Sequence, residues 1–181
     1  MIESIIINKS CVKIIDQTLL PNEERYIEIK DYFEMIEAIK KLRIRGAPAI
    51  GIAGLVASAL AWDEFRGQLN DKLKLDNALV EIENARPTAV NLTYAVNIVR
   101  ECIKCEQFKI DSDFLWDKAL ELAQAEKKAS ELMAKNGVNE IYHNQEELKI
   151  LTHCNTGSLA TYGEGTALAV IKALAKKTKV I

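Results

Sequence analysis

The stretch that most limits how this chain can fold is Ala47-Pro-Ala-Ile-Gly-Ile-Ala-Gly-Leu-Val-Ala-Ser-Ala-Leu-Ala61. It is apolar throughout, yet it falls short of the roughly 20 residues that span a bilayer, and it contains two glycines. Pro48 suits the first turn of a helix, where its missing N–H costs nothing, and Gly46 lets the chain turn tightly before it. Gly51, Ala53, Gly54, Ala57, Ser58 and Ala61 put small residues around the whole circumference. A helix of this kind can be approached closely on several faces, so it belongs at the centre of a helical bundle.

The flanking segments supply that bundle and a small sheet. Residues 2–7 and 11–15 are β-branched runs joined by a short polar loop, which predicts a β-hairpin, and Arg25 to Ile29 adds a third strand. Asp31 caps a helix with Phe33, Ile36, Ile39 and Leu42 inward. Gly67 ends the central helix, and Lys72 to Ala85 forms another with Leu75, Leu79 and Ile82 inward. A further helix starts at Pro87, with Val90, Tyr94, Ile98 and Cys102 along its inner side. Asp111 or Ser112 caps a long helix to about Asn136, stopped by Asn136-Gly137, with an apolar stripe through Phe114, Leu115, Ala119, Leu122, Ala125, Ala129 and Leu132.

After a polar stretch the pattern changes. Leu148 to Leu151 reads as a buried strand, the chain breaks at Cys154-Asn-Thr-Gly157, a helical pattern resumes through Ala167, Val170, Ile171 and Leu174, and Lys179-Val-Ile181 is a second strand. The expected organisation is therefore α/β: an N-terminal antiparallel β-ribbon (1–30), a helical bundle in the same domain (31–138), and the first β-α-β unit (148–181) of an incomplete, Rossmann-like parallel-sheet domain. One such unit cannot cover both faces of its strands, so the chain reads as the first part of a longer protein.

A turn between strand and helix is where ligands bind in such sheets, because the helix start offers unpaired N–H groups. Cys154 there is either a thiol whose thiolate the helix dipole stabilises or a small buried hydrophobe. Arg45 and Arg86 each precede a proline-opened helix. Each is either one arm of an anion site, a bidentate cation beside free N–H groups, or a surface arginine on a helix–helix turn. Cys102-Ile-Lys-Cys105 has metal-like spacing, but the only histidines, His143 and His153, lie in unrelated contexts, and a redox pair opens a helix rather than closing one. His153 is expected to be structural, since strand neighbours point to opposite faces. A net charge of −2 argues against a broad nucleic-acid footprint. The N-terminus lacks the marks of a signal peptide and the four cysteines show no disulfide framework, which together point to the cytoplasm.

Asp16-Gln-Thr-Leu-Leu-Pro21, Arg45-Gly-Ala-Pro-Ala-Ile-Gly51, Arg86-Pro-Thr-Ala-Val-Asn-Leu92 and Thr152-His-Cys-Asn-Thr-Gly-Ser-Leu-Ala-Thr161, in this order, resemble the methylthioribose-1-phosphate isomerase family. Its superfamily also holds ribose-1,5-bisphosphate isomerases and regulatory subunits of translation initiation factor 2B. The resemblance implies an aldose–ketose isomerisation in methionine salvage, 5-methylthioribose 1-phosphate to 5-methylthioribulose 1-phosphate, with no cofactor or metal and a homodimer or a second completing chain. It implies that Cys154 is catalytic, paired with an aspartate beyond Ile181, and that Arg45, Gly46, Ala47 and Arg86 hold the phosphate. Asn155, Thr156 and Gly157 would shape the turn and supply N–H groups. The chain departs from the family pattern at Tyr162-Gly-Glu-Gly165, where Glu164 brings a negative charge toward an anion site. A non-catalytic regulatory subunit, an isomerase of another sugar phosphate and a sugar-phosphate sensor are the alternatives.

Overall fold

The computed structural model describes residues 2–9, 11–104 and 113–181. Strands β1 (Ile5–Asn8), β2 (Cys11–Ile15) and β3 (Tyr26–Ile29) form an antiparallel sheet in that order. Pairing Ile5 with Ile14, Ile7 with Val12 and Val12 with Ile29 puts these residues on one face, where all are buried in the common core. The ribbon expected from the alternating pattern is present, and its loop residue Ser10 lies outside the described residues.

Helix α1 (Tyr32–Lys40) starts as expected at Asp31, whose carboxylate accepts the Glu34 N–H at 2.8 Å, while Glu34 accepts the Lys30 N–H at 2.7 Å. Its inward stripe is Tyr32, Met35, Ile36 and Ile39. Phe33 is 53% exposed and Leu42 40% exposed, against expectation. Phe33 falls one position off the stripe and lies against the Tyr32 ring instead, 4.0 Å between centroids. Leu42 comes after the helix end, at φ +59°.

Helix α2 (Ala47–Phe65) is the centre of the bundle, packed against α1, α3 (Asp71–Glu83), α4 (Val90–Lys104) and α5 (Phe114–Ile141). Its small residues admit those neighbours: a Cβ on Gly54 would stand 2.7 Å from Leu92 Cδ1, so α4 lies directly on the glycine. Leu75, Leu79 and Ile82 face inward from α3 as expected.

Two helices differ from expectation. In α4, Val90 and Tyr94 are exposed, and Leu92, Ala95, Val96 and Val99 form the buried side. Close approach to α2 selects the face carrying the small Ala95 over the one with the bulkier tyrosine. In α5, Asn136-Gly137 does not stop the helix, which runs to Ile141; its cap is not described at Asp111 or Ser112, which lie outside the described residues. The inward residues are Leu115, Trp116, Ala119, Ala123 and Ser130, while Ala125, Ala129 and Leu132 are exposed. Gly137 instead makes room for a neighbour, since a Cβ there would meet Val170 at 2.5 Å.

That neighbour is α6 (Ala167–Leu174), the crossover between the parallel strands β4 (Glu147–Leu148) and β5 (Lys179–Val180). Two parallel strands and one helix are what the described residues show of a parallel sheet. The run Leu148–Leu151 is not a buried strand: among the described residues β4 has only β5 beside it, and Leu151 is 98% exposed. Among the described residues no helix is long and apolar enough to cross a membrane.

Candidate functional site

The helix after Cys154 does not open at the cysteine's own turn. Gly163 and Gly165, at φ +108° and +103°, hold the chain out of helical conformation until Thr166. The chain then folds back on itself. The Thr166 N–H donates to the Thr156 carbonyl at 2.8 Å, and Gly165 lies so close that a Cβ would be 2.2 Å from that oxygen. The amino end of α6 thus stands beside Thr156 and Gly157. Asn155 shapes the turn, its side-chain oxygen accepting the Gly157 N–H at 3.1 Å.

Cys154 itself is exposed at φ +68°, a left-handed conformation uncommon for a side-chain-bearing residue. The small-buried-hydrophobe reading does not hold. His153 is exposed too, and neither side chain has a hydrogen-bond partner among the described residues. Residues 152 and 153 lie outside any strand, so strand alternation does not orient the histidine.

The loop is seated on the N-terminal half through three consecutive carbonyls. The Gln17 side-chain amide donates to Leu159 O at 2.8 Å, the Ala49 N–H to Ala160 O at 3.2 Å, and the Ser4 hydroxyl to Thr161 O at 2.6 Å. Gly46, at φ +99°, abuts the same place: a Cβ there would be 2.3 Å from the Ala160 Cα. So the Arg45-Gly46-Ala47 start of α2 and the loop that follows Cys154 are in contact.

Arg45 is held on the N-terminal side, donating from Nη2 to the Gln17 carbonyl at 3.0 Å. The Gly46 and Ala47 N–H groups take no acceptor among the described residues, which leaves two donors and the rim of a guanidinium at one helix start. Behind them sits Asp16, 2% exposed, bonded to the Arg43 guanidinium and to the Thr18 hydroxyl and N–H. Burial works against its ionisation, but the Thr18 bonds and the Arg43 charge outweigh it and hold the carboxyl below the ordinary carboxylate range.

Arg86 is less closely joined. Pro87 is not the first residue of α4 but lies in a turn, with the Ala89 N–H donating to Arg86 O at 2.9 Å, and the helix starts at Val90. Its next residue, Asn91, packs against Gly51 of α2, about 6 Å along the axis from Ala47. Both arginine-bearing segments therefore occupy the same end of the bundle, while no bond joins Arg86 to Arg45 or Cys154 among the described residues.

Pattern reading missed Gln17 and Ser4, 1% and 2% exposed, as the residues that seat the loop. The only signal was two polar side chains at the edges of apolar strands. A cleft of about 590 Å³ lies elsewhere, between α5, α6 and residues 162–164, with Lys127, Glu131, Tyr162, Glu164, Lys172 and Lys176 among its lining. Its lining includes neither Cys154, Asn155, Thr156 and Gly157 nor Arg45, Gly46, Ala47 and Arg86. Glu164 points there, 3.4 Å from Lys172, so its charge is met by a lysine. Cys105 lies outside the described residues, and among those described no three His, Cys, Asp or Glu side chains form a metal-sized group.

Residues 43–181 match the model of the Initiation factor 2 subunit family. The methylthioribose-1-phosphate isomerase of Leptospira biflexa is 36% identical over 169 residues, covering 93% of this chain and 47% of that protein. The corresponding Dehalococcoides mccartyi protein is 42% identical over 172 residues, covering 92% and 50%. The chain thus spans about half the length of the curated relatives it matches. Among solved structures, 5-methylthioribose 1-phosphate isomerase from Pyrococcus horikoshii OT3 superposes with TM-score 0.83 at 29% identity, covering 97% of this chain and 50% of that one. Translation initiation factor eIF-2B subunit delta from A. fulgidus superposes with TM-score 0.78 at 32% identity, covering 99% and 53%.

Proposed function

The chain belongs to the Initiation factor 2 subunit family, and from that premise we propose that it supplies the thiol and the phosphate-holding side of an aldose–ketose isomerase site. The substrate on this reading is 5-methylthioribose 1-phosphate, the compound in the relatives' names, and the product is 5-methylthioribulose 1-phosphate. The observation that supports it is the seating of residues 159–161, which follow Cys154 in the same loop, against the Gly46–Ala49 start of α2, where two N–H groups take no acceptor among the described residues.

The chemistry explains why such an arrangement is needed. With phosphate on C1 the sugar cannot open spontaneously: the ring oxygen takes a proton as its bond to C1 breaks. Hydrogen then moves from C2 to C1. In the proton route a base removes it from C2, a proton is returned to C1, and the C2 hydroxyl loses its own proton to become the ketone. In the hydride route the hydrogen carries its electron pair directly from C2 to C1, and the C2 hydroxyl again loses its proton to become the ketone. Arg45, the Gly46 and Ala47 N–H groups and Arg86 hold the phosphate, so its binding energy positions C1 and C2. Cys154 exchanges the proton, and the Asn155-Thr156-Gly157 turn offers N–H groups to the developing charge. The complementary acid on this reading is an aspartate.

This reading divides the protein into the ribbon and bundle (1–138) and a parallel-sheet domain opening at 148, with α5 running on past the division, and it implies a cytoplasmic homodimer. The likeness to the A. fulgidus subunit supports a second reading, a regulatory or assembly subunit that keeps the fold without catalysis. One assay separates the two: product formation from 5-methylthioribose 1-phosphate, with Cys154→Ser and Arg86→Ala as variants. The isomerase reading expects turnover, a sharp fall in kcat for Cys154→Ser and chiefly a raised KM for Arg86→Ala. Absence of turnover would favour the subunit reading instead, and binding without turnover a sugar-phosphate sensor.

A further inference from the structure

We propose that Gln17 is a positioning residue: its side-chain amide fixes the Cys154 loop in register with Arg45, so that the thiol and the phosphate clamp address one substrate. This rests on the isomerase reading and assigns a role to a residue outside the thiol and the clamp. Gln17 is 1% exposed and bonded in three directions. Its N–H donates to Arg43 O at 2.9 Å, its carbonyl accepts from Arg45 Nη2 at 3.0 Å, and its Nε2 donates to Leu159 O at 2.8 Å. Among the described residues it alone touches both the arginine and the loop through hydrogen bonds. The other two loop anchors differ in kind. Ala49 contributes only backbone, and Ser4 holds Thr161 from the start of the ribbon with no bond to Arg45.

A glutamine is suited to this task because one planar group at the end of a short tether presents a donor to a carbonyl without introducing charge. Leucine at position 17 would leave Leu159 O without its partner. Ionised glutamate would set oxygen against oxygen. Protonated glutamate, in contrast, has an O–H that can donate where Nε2 does, and burial beside a carbonyl favours that form. This gives the proposal a pH signature that a purely structural glutamine would lack.

The test uses steady-state isomerisation by the active protein and amide hydrogen exchange across residues 153–161, with folding of each variant checked by circular dichroism. Gln17→Leu is expected to lower kcat about tenfold or more, as a misplaced thiol does, with KM within about threefold because the clamp is intact. Gln17→Glu is expected to show the same loss at high pH and to recover toward the unmodified protein as pH falls; Gln17→Leu should show no such recovery. A folded Gln17→Leu variant with unchanged kcat, or a Gln17→Glu variant whose ratio to the unmodified protein is flat with pH, overturns the proposal. If the unmodified protein shows no turnover, the isomerase reading fails separately. The positional claim is then decided by exchange: faster exchange in Gln17→Leu confined to residues 153–161 supports it, and unchanged exchange there overturns it.

Discussion

Helix α2 and the loop at 153–165 meet at Gly46 and Ala160, yet they are held in opposite ways. The helix is fixed by side chains: Ile50, Ile52, Leu55 and Val56 are buried, and its glycines let neighbouring helices close in. The loop is fixed by its main chain, through three carbonyls and two positive-φ glycines, while Leu151 to Asn155 leave their side chains in solvent. Apolar packing is dense and tolerates little change of volume. Backbone docking is directional and indifferent to most side chains. The molecule thus joins a rigid support to a loop whose exposed residues are free to face a substrate.

The largest effect should come from the support. Ile52→Ala in α2 is expected to cost about 2–5 kcal/mol in urea unfolding, since it opens a cavity in a tightly packed core. A loss under 1 kcal/mol would mean that the bundle adapts and the contrast is weaker than drawn. Gly46→Ala strikes the junction, where both the φ of +99° and the Ala160 backbone oppose a Cβ. A cost of about 1–3 kcal/mol is expected, accompanied by faster hydrogen exchange at residues 157–161 while α2 stays protected.

A pH-dependent effect comes next, from Asp16. Its folded-state pKa is depressed, so on acidification the unfolded chain takes up the proton first. The stability it contributes is present in full above the unfolded value of about 3.9 and is lost as pH falls through the lowered folded value. Asp16→Asn should therefore flatten stability against pH on this acid limb, measured by urea midpoints; an unchanged slope would show that Thr18 and Arg43 do not favour the charged form. The smallest effect is expected at Leu151→Ser. At 98% exposure it should move stability by less than about 0.5 kcal/mol.

The same contrast explains what could be read from the chain alone. The ribbon and α2 announce themselves through alternation and through small residues on every face. The inner side of α4 did not, because two stripes are available at helical spacing and the larger residues, Val90 and Tyr94, are the exposed ones. Asn136-Gly137 looked like a stop, since the use of Gly137 depends on Val170 of a distant helix. Within the site, the helix start at Arg45 and the Cys154 turn were legible as local motifs. Gln17 and Ser4 were not: their bonds reach 142 and 157 residues along the chain to main-chain oxygens, and such pairings leave no periodicity at either end.

Helix α5, at 28 residues, is about 42 Å long and acts as a beam. Its first turns are clamped in the bundle by Leu115 and Trp116, its far end carries α6 at Gly137, and between them the Ser130 hydroxyl holds the Gly165 carbonyl. From Ala123, the last apolar residue that α5 buries in the bundle, to Gly137 the lever arm is about 21 Å, so a tilt of about 5° at the clamped end swings α6 by about 2 Å. Gly165 rides on the same beam nearer the pivot and moves less. The strand-and-helix unit and the thiol-bearing loop are in this way geared to one shaft, with different throws.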